Sequence, residues 1–130
     1  MPIDSQQIEP LLAQRVATTY QTLMGHSLDL VSCHFLNSDT IAVVLDGAVT
    51  QPEKLLLSSG YGDLARIIRQ HLNAILRPRL IAEVEAVLQR EVIDAPSDIK
   101  FESERMSLMM VLAKPLGTVQ NTPMKEAAEG

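Results

Sequence analysis

Cys33 and His34 stand next to each other in the sequence, a thiol and an imidazole of the kind that ligate metals or, when paired, build a nucleophile. Both fall in an alternating segment, and neighbours on a strand point to opposite faces, so the two cannot share one ion without distortion. The reading is a buried Cys33 beside Phe35 and an exposed His34. His26 and His71 are able to complete a site only through the fold, and His71, on an apolar helical stripe, reads as a half-buried, satisfied imidazole. Thr50, Glu53 and Lys54 form a second group, placed where a helix start offers backbone amides to an anion. They are the ligand-binding candidates, although Glu53, acting as a cap, would fill that place itself. Arg66, Arg69, Arg77 and Arg79 form a third group along a long helix: a solvated face, or partner-binding contacts to an acidic surface or a small anion. Asp98, Glu102 and Glu104 read as solubilising charges on an edge strand and its turn. The chain has no Gly-rich phosphate loop, no Ser-His-Asp set and no Cys-x-x-Cys pair, and Gly60-Tyr61-Gly62 is too short for a dinucleotide fingerprint. The expectation is no catalytic residue, no metal and no cofactor.

The elements that position these groups follow from periodicity. Ile8, Leu11, Leu12, Val16, Tyr20, Leu23 and Met24 recur at three- and four-residue steps, an amphipathic helix with Pro10 in its early part and Gly25 as its stop. Leu28 to Leu36 alternates as a strand with Cys33 and Phe35 on one side. Asn37-Ser38-Asp39 supplies a turn, and Thr40 to Val49 returns with Ile41, Val43 and Leu45 on one face. Thr50 and Glu53 have capping-box spacing, and Pro52 sits in the first helical turn, where a missing amide proton costs little. The two glycines around Tyr61 divide the stretch from Thr50 to Glu91 into a short helix, a hinge and a long helix. On the long helix Leu64, Ile67, Ile68, His71, Leu72, Ile75, Leu76, Leu80, Val84, Val87 and Leu88 make one continuous apolar stripe. Asp63 to Glu91 would span roughly 40 Å, and Pro78 predicts a bend in it. Val92 to Glu102 and Met106 to Ala113 predict a second hairpin, with Pro96 relegating the first strand to an edge or a bulge. The last strand is apolar on both sides and is expected to be central and covered on both faces.

Composition narrows the role. A formal charge of −5 repels phosphate backbones and anionic lipid, and with no Trp, two Tyr and two Phe there is little to stack bases on. Nucleic-acid binding and direct membrane insertion are therefore not expected. One cysteine and the start Met1-Pro2-Ile3-Asp4, which is neither basic nor apolar, point to a cytoplasmic location. With 46% hydrophobic residues the chain is expected to fold as one domain over residues 1–114, and residues 115–130, poor in apolar side chains, are expected to form a disordered tail.

The strand end Leu45-Asp46-Gly47-Ala48-Val49-Thr50-Gln51-Pro52-Glu53-Lys54, then Arg77-Pro78-Arg79-Leu80, then Met109-Met110-Val111-Leu112 resemble the MpsC family over roughly Ile8 to Leu112. The resemblance implies the small soluble companion of a membrane ion or inorganic-carbon transport system, without catalytic residues. The expected architecture is an α+β two-layer sandwich in the order α-β-β-α-β-β, with a four-stranded antiparallel sheet and a long bent second helix. Helices on one face leave the second apolar face of the last strand uncovered, so a homodimer is expected. The functional expectation is a non-enzymatic accessory or regulatory protein that docks on a membrane-protein partner. The alternatives are a small-molecule or anion sensor with its pocket near Thr50 to Lys54, and an enzyme using Cys33 or the histidines.

Overall fold

Alternation along the two central strands builds the sheet of this computed structural model, which describes residues 5–117. The first hairpin joins β1 (Leu30–Asn37) to β2 (Thr40–Asp46), and β2 pairs in turn with β5 (Arg105–Leu112), all antiparallel. Registers Cys33↔Val43↔Leu108 and Phe35↔Ile41↔Met110 stack the inward side chains in rows. Every one of those six residues is buried. At roughly 25 cal/mol per Å2 of apolar area removed from water, such rows supply the main driving force for folding. The turn forms as its residues predict, with the Asp39 amide donating to Asn37 Oδ1 at 2.9 Å.

Against this face lies α1 (Ser5–Met24), which buries Leu12, Val16 and Tyr20 at four-residue intervals and runs through Pro10 without a break. Gly25 ends it with φ +64°, the left-handed conformation that favours glycine. Glu9 of α1 also reaches the free edge of β1, where Oε2 accepts the Phe35 amide at 2.9 Å. An edge amide engaged this way is withdrawn from pairing with another chain. After β2 come α2 (Gln51–Ser58) and α3 (Gly62–Leu88), then β3 (Val92–Asp94) and β4 (Ser97–Lys100) before β5.

The α+β class and the antiparallel sheet are as expected, but the counts differ. There are three helices and five strands among the described residues, because Ala95-Pro96 splits the expected third strand into β3 and β4, both paired to the same side of β5. Proline donates no ladder hydrogen bond, yet its carbonyl still accepts the Met109 amide at 2.9 Å, so the edge continues across the break. β5 is central in the sheet, as predicted, and the chain itself covers one of its faces. Met106, Leu108, Met110 and Leu112 are buried while Met109 on the other face is 44% exposed. Helix α3 runs unbroken through Pro78, which sits with Ala74 on the exposed side of the helix.

The larger correction concerns which side of α3 is buried. From Leu76 onward the predicted stripe is right: Leu76, Leu80, Val84 and Leu88 pack into the core. In the first half, Ala65 and Arg69 face inward instead, and Leu64, Ile67, His71 and Ile75 are exposed. His71 is thus not half-buried. Beyond β5, the packed part extends past residue 114, since Leu116 is buried and its amide donates to the Ser38 carbonyl at 2.8 Å. The remainder of the expected tail, residues 118–130, lies outside the described residues.

Candidate functional site

The joint between β2 and α2 gathers the polar groups that the core has taken in. Glu53, 2% exposed, and Arg69, 1% exposed, meet there in a two-pronged ion pair: Nε donates to Oε2 at 2.7 Å and Nη2 to Oε1 at 2.5 Å. The capping spacing explains why the carboxylate is already in place. Glu53 Oε1 reaches back to accept the Thr50 amide at 2.9 Å, and the Thr50 hydroxyl donates to the same oxygen at 2.7 Å. Arg69 Nη2 also donates to the Ala48 carbonyl at 2.7 Å, and the Tyr20 hydroxyl donates to that carbonyl from α1. One carbonyl therefore ties α1, α3 and the end of β2 together. Next to it, His26 Nε2 lies 2.6 Å from the Gly47 carbonyl; since a carbonyl only accepts, that nitrogen carries the proton.

Burial alone would push the Glu53 carboxyl up. The hydrogen bonds from Arg69 and from the Thr50 amide and hydroxyl, with the Arg69 charge, outweigh burial and hold it below the ordinary carboxylate value. Burial likewise disfavours the Arg69 cation, and Glu53 more than restores it. The Tyr20 phenol is pushed up by burial, with Arg69 opposing in part. The cluster is thus an anion, a cation and a neutral phenol with their hydrogen bonds made inside the protein. It holds α2 and the first half of α3 to the sheet.

Beside the cluster, between α2, α3 and the β4–β5 turn, opens a groove of about 760 Å3. Arg69 belongs to both, and its Nη1 faces Asn73 Oδ1 at 3.5 Å. Arg66 and Lys100 bring positive charge to the walls, Asp98 and Glu102 negative charge, and Leu57 and Phe101 apolar surface. Such a lining suits a small polar molecule with charge of both signs better than a simple anion.

The predicted site residues separate accordingly. Thr50, Glu53 and Arg69 come together, but as a buried structural unit. Arg69 is not on a solvated face, and Thr50, Glu53 and Lys54 are not among the residues lining the groove. Lys54 pairs with Glu104 at 2.9 Å on the surface. Arg66 pairs with Asp63 at 3.1 Å, Arg77 donates to the Ala95 carbonyl at 2.8 Å where the edge strand breaks, and Arg79 is exposed. Cys33 is buried with its thiol pushed up to about 12 by burial and by the nearby Glu9 charge, so it is a poor nucleophile. His34 points out on the opposite face, 3.6 Å from Glu9. Among the described residues no three His, Cys, Asp or Glu side chains converge to hold a metal. Sequence spacing does not single out Tyr20 or the groove residues Gln70, Asn73 and Lys100. The available signal for Tyr20 is its hydroxyl on a helix face otherwise built of Leu and Val, since a buried phenol demands a partner.

None of the helices in the described residues is long and apolar enough to cross a membrane. Among curated proteins and solved structures, none matches the chain. The family model described as the Na+-translocating membrane potential-generating system (MpsC) matches residues 4–114, which takes in the hairpins, the buried ion pair and all three helices, and the chain belongs to the MpsC family.

Proposed function

We propose that the protein is a non-enzymatic, cytoplasmic, dimeric accessory or regulatory component of a membrane ion or inorganic-carbon transport system, acting by surface docking. The observation that carries this reading is the placement of apolar side chains outside the fold on two separate faces. One is the outer side of α2 and α3, with Leu55, Tyr61, Leu64, Ile67 and Ile75; the other is the helix-free face of the sheet, with Met109 and Ile93 exposed. A shallow depression of about 280 Å3 on the latter is walled by Ala42, Val44, Pro96 and Met109. Contiguous exposed apolar surface marks interaction sites. The buried charges, by contrast, are satisfied by one another and by the backbone, which supports a structural role for them. Membership of a family described by a membrane-potential-generating system supports a membrane protein as the docking partner.

Affinity capture with the tagged native chain from detergent-solubilised membranes tests the reading. The expected result is co-purification of a membrane-spanning protein, lost with Met109→Glu or Val44→Glu. Recovery of the chain alone, with both variants behaving like the native protein, contradicts it.

The groove favours a second reading, a sensor for a small polar molecule. Thermal-shift screening against anions, amino acids and nucleotides separates the two, since a ligand specific to the fold raises its stability. A rise removed by Lys100→Ala and by Arg66→Ala supports the sensor.

A further inference from the structure

The exposed stripe of α3 has a spacing that suits its own copy. At about 100° per residue, Leu64, Ile67, His71, Ile75, Pro78 and Ala82 lie on one side of the helix, opposite the inward Ala65, Arg69, Leu76 and Leu80. Leu64 and Ile67 are 45% and 50% exposed and Ile75 is 60% exposed. Leu64 and Pro78 are equidistant in sequence from His71, as are Ile67 and Ile75. An antiparallel copy centred on His71 therefore sets Ile67 against Ile75, Leu64 against Pro78, and His71 against itself on the two-fold axis.

We propose that two copies of this chain pair through the outer face of α3, antiparallel, with His71 at the dyad. The proposal specifies the dimer of the reading above and rests on it. A two-fold interface uses the same patch twice, so a patch must be its own complement, and this symmetrically spaced stripe, without Asp, Glu, Lys or Arg, is. Charge selects the direction. A parallel pair would bring Asp63 level with its copy and Arg79 level with its copy, and would align the helix dipoles unfavourably; the antiparallel pair centred on His71 brings Asp63 level with Arg79 of the second copy instead. The stripe from Leu64 to Ala82 forms a seam about 27 Å long and about 10 Å wide. By itself that is less than the roughly 800 Å2 per partner of a standard interface, so the association depends on protein concentration. Exposed Tyr61 at the start of α3 extends it.

His71→Cys in the full chain provides the test. Facing Cα atoms in helices packed about 8–10 Å apart fall within disulfide reach. The native Cys33 is buried and does not compete. On mild oxidation, His71→Cys is expected to yield a covalent dimer in most of the protein, at least tenfold more than Gln51→Cys, an exposed position on α2. Sedimentation of the unmodified chain is expected to show a dimer that Ile67→Glu and Ile75→Glu each convert to monomer while circular dichroism stays native. A native dimer in which His71→Cys does not cross-link, or which survives both glutamates, overturns the α3 pairing and leaves the dimeric reading standing. A monomer at all concentrations up to about 0.5 mM overturns both.

Discussion

The two halves of α3 are the same helix held in place by opposite means. From Leu76 to Leu88 it is anchored by aliphatic side chains in the core, with polar groups turned outward. From Gly62 to Ile75 the arrangement inverts: the inward anchor is Arg69, paired with Glu53, and Leu64, Ile67 and Ile75 are outside, with Ile68 and Leu72 half-buried. Burial of Leu or Val tolerates small adjustments, because dispersion and desolvation are non-directional. A buried bidentate ion pair does not, since each charge carries a large desolvation cost that only its partner offsets. One half is therefore fixed by volume and the other by geometry, which leaves an apolar surface exposed without loosening the fold.

Removing one anchor from each half tests this contrast most strongly. Arg69→Met strands Glu53 and is expected to cost about 3–5 kcal/mol. Leu80→Ala in the second half is expected to cost about 2–5 kcal/mol through its cavity. Both are measured by urea unfolding. Hydrogen exchange distinguishes them: Arg69→Met should accelerate exchange selectively in α2 and the first turns of α3, whereas Leu80→Ala should not.

Smaller, and aimed at the loop that carries the shared Ala48 carbonyl, is Gly47→Ala. Gly47 has φ +74°, and an added Cβ would lie 2.6 Å from the Asp29 carboxylate and 3.0 Å from its backbone nitrogen. A loss of about 1–3 kcal/mol is expected. At the low end, Lys54→Ala removes a half-exposed pair with Glu104 and should change stability by under about 1 kcal/mol, less in high salt.

The ion pair also has a pH signature. The Glu53 carboxyl titrates lower in the folded than in the unfolded chain. Its contribution is therefore fully present above the ordinary carboxylate value and is lost as pH falls through the folded value. In Arg69→Met the Arg69 hydrogen bond and charge are gone and only the Thr50 amide and hydroxyl oppose burial, so the stability that depends on Glu53 being ionised shrinks and the variant loses less in acid than the native chain. Unfolding curves for both proteins between about pH 3.5 and pH 7 should converge toward the acid end. Parallel curves would contradict the assignment.

Much of this contrast is legible in residue order, and one half is not. The rows Cys33–Val43 and Phe35–Ile41 follow from alternation, and the capping spacing of Thr50 and Glu53 places the carboxylate correctly. Pro96 announces the broken edge. The second half of α3 is legible because hydrophobicity and burial coincide there. They diverge in the first half, where the greasiest stripe is not the inner one. The true inner face is fixed by a partner sixteen positions earlier across a helix joint, and pattern within one helix does not see it. The available clue is a seven-residue step: Arg69 lies two helical turns before Leu76, and Ala65 one turn before Arg69, so the well-anchored face followed backward by seven meets an arginine. Likewise the groove depends on β4 and its turn lying against α3, a tertiary juxtaposition with no local signature.

A double-mutant cycle across the ion pair tests the account most directly. Glu53→Gln, Arg69→Met and the double variant are compared with the native chain by urea unfolding at neutral pH. If the pair anchors the first half of α3, each single change is costly and the double costs clearly less than their sum, with a coupling of at least about 2 kcal/mol. Single costs that add to within about 0.5 kcal/mol would contradict it.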